Sequence, residues 1–311
     1  IVGCSALHID LSKRELTVGE KNLKEGDWIS LNGTKGIVYE GKLPMIDANQ
    51  ENELLMSFLK LCNNFRKLGI RTNADTPEDA SIAKQFGAEG IGLFRTEHMF
   101  YGKGADEPLF HLRKMIVSNT KEERDEALEE LFPFVKKDIK GTLAAMDGFP
   151  VVIRLLDPPL HEFVPREEAK LRELAKELNI SMEELSERAK ALHESNPMMG
   201  HRGCRLSVTY PEIAEMQTRA VLQAALKVKK ETRKDFVPEI MIPLISTKKE
   251  LAFVKAIVME TAEKVFKEQN DTIKFMVGTM IEIPRACVTA DEIATEAEFF
   301  SFGTNDLTQM G

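Results

Sequence analysis

Six short apolar segments, separated by helical patterns, constrain the fold of this chain more than any other feature. They read GIRTNA, GIGLF, VVIRLL, EIMIPL, FMVGTMIEI and EFFSF, and they lie between residues 69 and 302. Nearly continuous apolar runs of this kind are typical of parallel strands that are covered on both faces. Strands that alternate with helices predict right-handed βαβ units, and therefore either a doubly wound sheet or a (β/α) barrel.

Polar residues at the ends of these segments favour the barrel. Arg95 follows GIGLF, Arg154 follows VVI, Glu282 lies within MIEI, and Asn305 and Asp306 follow FFSFG. In a (β/α) barrel the active site is assembled from the carboxyl ends of several strands. We therefore predict an α/β fold of the (β/α)8 TIM-barrel type, incomplete here because only about six of the eight strands are recognisable.

The helices between the strands carry their own start signals. A threonine followed by proline at residues 76 and 77 predicts a helix cap before a first-turn proline. Three further sites have the capping-box spacing of a hydroxyl residue and a glutamate three positions later: Thr120 and Glu123, Ser181 and Glu184, Thr247 and Glu250.

The first forty or so residues differ from the rest. RELTVG, DWISLNG and KGIVYEG predict short strands, and Asn32-Gly33 is a strong hairpin-turn signal between the last two. Apolar residues then recur at helical spacing from Asp47 to about Leu68. We predict a small β-rich domain remnant over 1–45, a linker helix over 46–69, and the barrel domain over 70–311.

Charge and cysteine content narrow the class of protein. The net charge of -8 argues against nucleic acid or an anionic membrane as the main partner, because both attract basic surfaces. The four cysteines are scattered without a C-x-x-C pair, which fits reduced thiols rather than a disulfide framework or a zinc site. We expect a soluble, cytoplasmic protein without a nucleic-acid or membrane partner.

Two acids at successive strand ends suggest a metal site. Glu282 and Asp306 would lie within reach of one ion, and two carboxylates with few other protein ligands suit Mg²⁺. For Asp306 alone, capping of the following LTQM helix is an equally good interpretation. Glu282 is harder to explain structurally, because it interrupts an apolar strand and an unpaired buried carboxylate is costly.

Three arginines at strand ends or in glycine-rich segments suggest an anionic ligand. Arg95, Arg154 and Arg202 carry guanidinium groups, which bind phosphate and carboxylate bidentately. Structural ion pairs are the alternative, with Arg95 paired to Glu97 or Glu282 and Arg154 paired to Asp157. Three arginines facing two acids favour a small, highly anionic ligand together with a metal.

Five segments together resemble the phosphoenolpyruvate (PEP)-utilising enzymes. They are GIGLFRTEHMF, VIRLLDPPLHEF, NPMMGHRGCRLSVTYPEI, GTMIEIPRA and FFSFGTNDLTQM, and the second and third are similar to the dikinases of that family in particular. The resemblance extends from about Arg71 to Gly311. It implies that PEP is bound by Arg95, Arg154 and Arg202, that Mg²⁺ is held by Glu282 and Asp306, and that the substrate is contacted by Gly303, Thr304 and Asn305.

The implied reaction is reversible phosphoryl transfer between a phosphohistidine and pyruvate enolate. Overall it would convert ATP, phosphate and pyruvate into AMP, diphosphate and PEP. Alternatives are the related synthase, which needs no phosphate, a non-catalytic PEP-binding or scaffolding module, and an aldolase-type lyase. The first residues resemble the end of a phosphohistidine domain, which would be a partner in the same polypeptide. The family also implies a homodimer.

Three family features have no counterpart in this sequence. None of its six histidines lies in a Thr-Ser-His-type segment, and neither a nucleotide-binding domain nor a CGEHGG-like cysteine is recognisable. We therefore expect a central part of a longer enzyme, with ATP bound elsewhere in that enzyme, and we expect no full turnover from this part alone.

Overall fold

The computed structural model describes residues 6–45, 52–102, 104–165, 167–192 and 197–311. It divides the chain into two compact units, with the boundary between Asn64 and Phe65. Cys4 and the first residues of the helix predicted from Asp47 lie outside the described residues. No helix in the described ranges is both long enough and apolar enough to cross a bilayer.

The described residues of the first unit form two small antiparallel sheets and one helix. Its elements are β1 (His8–Asp10), β2 (Glu15–Val18), β3 (Lys21–Lys24), β4 (Ile29–Asn32), β5 (Ile37–Glu40) and α1 (Glu53–Asn63). One sheet has the order β1-β2-β3, and the other is the β4-β5 hairpin. Asn32 pairs with Ile37 across the turn, so the predicted hairpin is confirmed. Strands β1 and β3 were not predicted.

The linker helix is shorter than its apolar pattern. The Asn52 side chain accepts a hydrogen bond from the Leu55 N–H and caps the start of α1. At the other end the Asn64 N–H donates to the Leu61 carbonyl, a tightened last turn that closes the helix. The predicted extension to Leu68 is therefore wrong, and Phe65 and Leu68 follow the helix although they continue its spacing.

The second unit contains one six-stranded parallel sheet. Its strands are β6 (Thr72–Asn73), β7 (Ile91–Arg95), β8 (Val151–Arg154), β9 (Glu239–Ile242), β10 (Met276–Ile281) and β11 (Phe300–Phe302). Each strand pairs in parallel with its neighbours in the sequence, so the spatial order is β6 to β11. A doubly wound sheet reverses its order at a switch point, whereas a barrel does not. The predicted incomplete (β/α) barrel is confirmed.

Helices connect these strands and cover the sheet. They are α2 (Pro77–Gln85), α3 (Asp106–Ile116), α4 (Lys121–Met146), α5 (Glu168–Glu177), α6 (Met182–Ala191), α7 (Gly203–Thr209), α8 (Pro211–Thr232), α9 (Lys248–Gln269), α10 (Pro284–Val288), α11 (Ala290–Ile293) and α12 (Thr304–Met310). The predicted caps are confirmed. The pairs at 120/123 and 247/250 form complete capping boxes. The hydroxyls of Thr76 and Ser181 each accept a hydrogen bond from the backbone N–H three residues later.

The central strands of the sheet, β8 to β10, are buried on both faces, as the apolar runs predicted. Ile153, Ile240 and Val277 are at most 1% exposed and belong to the large core between sheet and helices. A smaller cluster is formed by residues of opposite parity, including Met241 and Met280, and it lies on the other face. Successive strands thus carry one face towards the helices and one towards the barrel interior.

Gly278 permits the close approach of β10 and β11. A Cβ at this position would lie far inside van der Waals contact with the carbonyl oxygen and the ring of Phe299. We expect Gly278→Ala to lower the free energy of unfolding by about 2 kcal/mol, because backbone atoms must move to accept the methyl group. Urea denaturation followed by circular dichroism measures this loss. Gly102→Ala is the control, since that methyl group would meet no atom within 4 Å. Equal stability of the two variants would contradict the prediction.

Candidate functional site

The strand register brings the carboxyl ends of the strands to one edge of the sheet. Arg95 of β7 lies opposite Arg154 of β8, and Ile281 of β10 lies opposite Phe302 of β11. Residues that directly follow these strands therefore share the same edge. Glu282 follows β10, and Gly303 follows β11.

A cavity of about 510 Å³ lies at this edge. Of the eight residues predicted to form the site, seven line it: Arg95, Arg154, Arg202, Gly303, Thr304, Asn305 and Asp306. The eighth, Glu282, lies directly behind Gly303, where a Cβ would be 2.7 Å from Glu282 Oε2. The structure thus brings all eight side chains or backbone positions together.

Arg95 is paired with an acid that the sequence analysis did not consider. Asp75, which follows β6, accepts a hydrogen bond from the Arg95 N–H at 2.9 Å and faces its guanidinium, with Nη2 at 2.5 Å from Oδ2. His98 Nδ1 lies 3.1 Å from the same carboxylate. Burial alone would raise the pKa of Asp75, but the hydrogen bonds from Arg95 outweigh it and lower that pKa. The suggested pairing of Arg95 with Glu97 or Glu282 is wrong.

Arg154 and Arg202 are joined by shared acids. The Arg154 guanidinium contacts Glu97 on one side and lies 3.0 Å from Asp157 Oδ2 on the other. The same Asp157 oxygen lies 2.6 Å from Arg202 Nη2, and Arg202 Nη1 lies 3.7 Å from Asp306 Oδ1. The structural pairing of Arg154 with Asp157, weighed above as an alternative, therefore exists within the cavity wall.

Glu282 is completely buried, and only one of its two carboxylate oxygens has a hydrogen-bond partner among the described residues. Its Oε1 accepts a hydrogen bond from the Leu244 N–H at 2.7 Å, whereas Oε2 has no hydrogen-bond partner among the described residues. Leu244 has a φ of 59°, in the left-handed region that disfavours leucine. Burial is the largest cause that raises the pKa of Glu282, and the charges of Asp157 and Asp306 act in the same direction. Together they bring this pKa to about 8, although the Leu244 N–H and the charge of Arg154 lower it.

Asp306 lies in the first turn of α12 and does not cap it. Gly303 occupies the N-cap position, and no side chain makes a capping hydrogen bond there. The capping interpretation of Asp306 is therefore wrong, and its carboxylate is free to face Arg202. No group of three or more His, Cys, Asp or Glu side chains in the described part of the chain is arranged to hold a metal ion.

Strand order and cavity position define the class of protein: a (β/α) barrel domain with a charged cavity at the carboxyl ends of its strands. The chain belongs to the PEP-utilising enzymes, because the family model for their PEP-binding domain matches residues 49–311.

Several relatives of high sequence identity are pyruvate, phosphate dikinases. The chain is 54% identical to the pyruvate, phosphate dikinase of Clostridium symbiosum, covering 100% of this chain and 35% of that protein. It is 49% identical to the chloroplastic pyruvate, phosphate dikinase of Mesembryanthemum crystallinum (100% and 32%). It is 48% identical to the pyruvate, phosphate dikinase of Giardia intestinalis (99% and 34%). The chain spans about a third of the length of the relatives it matches.

Proposed function

We propose that this chain carries the PEP and pyruvate site of a pyruvate, phosphate dikinase. The observation that carries the proposal is the orphaned Oε2 of Glu282, buried beside a cavity lined by Arg95, Arg154 and Arg202. An ionised carboxylate with an unpaired oxygen in such a place is costly unless a cation binds it. The names of the relatives support the same reaction.

The charges of the cavity fit Mg²⁺ together with an anion. Three guanidinium groups face the carboxyl groups of Asp75, Glu97, Asp157, Glu282 and Asp306. An anion alone would meet an excess of acids, so a divalent cation is needed to admit it. Glu282 and Asp306 would hold this cation, leaving its other positions to water and substrate oxygens. When bound, Mg²⁺ would supply positive charge towards the enolate and phosphoryl oxygens.

The protein side chains would bind and orient the substrate. Arg95, Arg154 and Arg202 would grip its phosphate and carboxylate groups, so catalysis would rest on positioning and electrostatic stabilisation. Their acidic partners hold the guanidinium groups before the ligand arrives. Gly303 leaves space beside Glu282, and Thr304 and Asn305 would contact the substrate from the start of α12.

The remaining assignments concern the longer polypeptide. We propose that residues 1–45 end a phosphohistidine domain, that 46–69 link it to the barrel, and that 70–311 form the PEP-binding domain. The phosphohistidine domain would deliver the phosphoryl group, and ATP would bind elsewhere in the polypeptide. A homodimer in the cytoplasm completes the proposal. If the intact enzyme makes PEP from pyruvate and ATP with no need for phosphate, it is a synthase instead.

Titration of the chain with PEP tests the site. We expect binding that requires Mg²⁺, because the cation offsets the acids around the anion. Arg95→Ala should weaken PEP binding about 10- to 100-fold through loss of charged hydrogen bonds. Asp306→Ala should also weaken the Mg²⁺-dependent binding, because it removes one of the two carboxylates proposed to hold the cation. Isothermal titration calorimetry with and without EDTA measures both effects.

Arg172→Ala is the matched control for this titration. Arg172 pairs with Glu168 on an exposed face of α5, where both side chains are more than two-thirds exposed. Its removal should leave PEP binding unchanged. Metal-independent binding, or no binding by the wild-type chain, would favour a scaffolding module over a substrate site.

A further inference from the structure

A buried amide on α8 connects the loops that follow β7 and β8. Gln217 is 4% exposed. Its Oε1 accepts a hydrogen bond from the Leu156 N–H at 2.9 Å, and its Nε2 donates to Thr96 Oγ1 at 2.9 Å. The backbone N–H can only donate, so it must face the amide oxygen and the orientation of the side chain is determined.

Both partners of this amide are adjacent to acids that contact one arginine. Thr96 precedes Glu97, and Leu156 precedes Asp157. Glu97 and Asp157 contact the Arg154 guanidinium from two sides. The two hydrogen bonds of Gln217 therefore fix the separation between the backbone segments that carry these two carboxylates.

We propose that Gln217 is a positioning residue that sets the orientation of the Arg154 guanidinium through Glu97 and Asp157. The proposal rests on the function proposed above, because the value of that orientation is the binding of PEP. Gln217 is not among the residues that line the cavity, and its side chain makes the hydrogen bonds to Leu156 and Thr96. Gln217 would influence Arg154 by holding the two loops that carry Glu97 and Asp157. A purely structural amide would have no effect on Arg154.

The first measurement needs no ligand. Hydrogen exchange at the Leu156 amide reports whether Gln217 holds the second loop. Gln217→Met keeps the volume of the side chain and removes both hydrogen bonds, so exchange at Leu156 should become faster. Gln223→Met on the same helix is the control, because that amide accepts a hydrogen bond from Lys136 Nζ of α4 at 2.7 Å. Exchange at Leu156 in this control should match the wild type.

The second measurement asks whether the effect reaches Arg154. We expect Gln217→Met to weaken Mg²⁺-dependent PEP binding about tenfold. In the Arg154→Lys background, which keeps a charge but loses the planar guanidinium, the same change should cost less than twofold. A general loss of packing would instead weaken binding equally in both backgrounds. If Gln217→Met folds poorly, Thr96→Val takes its place in this test. It removes the hydrogen bond between Gln217 and Thr96 from the other side and should weaken PEP binding in the same way.

The outcomes separate this proposal from the proposed function. Unchanged exchange at Leu156 in Gln217→Met overturns it, and so does a tenfold loss that persists in the Arg154→Lys background. Failure of the wild-type chain to bind PEP with Mg²⁺ overturns the proposed function. In that case exchange at Leu156 still decides whether Gln217 fixes the loop, and the role in PEP binding is rejected.

Discussion

Replacement of Arg154 by alanine is expected to lower the free energy of unfolding by about 3–5 kcal/mol, the cost of leaving buried charges without their partner. Arg154 is 8% exposed, and Glu97 and Asp157 are each at most 3% exposed. Both carboxylates would lose a guanidinium partner, and their burial leaves little access for water to take its place. Burial disfavours the charged form of Arg154, but the charges of Glu97 and Asp157 outweigh this and raise the pKa of Arg154, so it stays charged.

Urea denaturation followed by circular dichroism measures this loss. The single tryptophan, Trp28, lies in the first compact unit and is therefore unsuitable as the reporter. The matched control is again Arg172→Ala, whose exposed ion pair should contribute less than about 1 kcal/mol. A loss below about 1 kcal/mol for Arg154→Ala would show that the two acids are satisfied without the arginine.

Glu282 should make the stability of the metal-free chain depend on pH. The pKa of Glu282 is raised from 4.5 to about 8 in the folded chain, so the folded state keeps a proton that the unfolded state loses. The stability contributed by this group is fully present below about pH 4.5 and is lost as the pH rises to about 8. In EDTA, Glu282→Gln should remove this slope. The variant should exceed the wild type in stability by on the order of 3 kcal/mol at pH 8.5 and by little at pH 5.

Added Mg²⁺ should reverse the order of the two proteins at pH 8.5. A bound cation would stabilise ionised Glu282 in the wild type, whereas the amide of Glu282→Gln offers no charge. Thermal unfolding at both pH values, with EDTA or Mg²⁺, gives the four comparisons. Glu263→Gln, an exposed change on α9, controls for loss of one acid. Parallel pH slopes for wild type and Glu282→Gln would rule out Glu282 as the titrating group.

Local sequence signals were sufficient for the barrel. Apolar runs predicted all six strands of the sheet, and hydroxyl residues three positions before glutamate predicted the helix starts, because both signals act over a few residues. The linker helix shows the limit of such signals. The spacing of Phe65 and Leu68 continues the pattern, but the backbone closes the helix at Asn64.

The partners of the charged residues could not be predicted in this way. Asp75 is an exception, because it follows β6 and the strand-end rule that identified Arg95 and Glu282 also applies to it. The positive φ of Leu244 could not be predicted, because leucine disfavours that conformation. Gln217 lies 121 positions from Thr96 in the sequence, on a helix whose pattern predicts only burial. These contacts depend on strand register and on the depth of α8, which a single sequence does not encode locally.

Asp157 Oδ2 forms ion pairs with two guanidinium groups, those of Arg154 and Arg202. A substitution of Asp157 would remove an ion pair from both arginines. A substitution of either arginine would change how Asp157 holds the other one. Ligand preference in this barrel is therefore not adjustable one cationic side chain at a time. Libraries that aim at a new acid substrate should vary the whole linked set simultaneously.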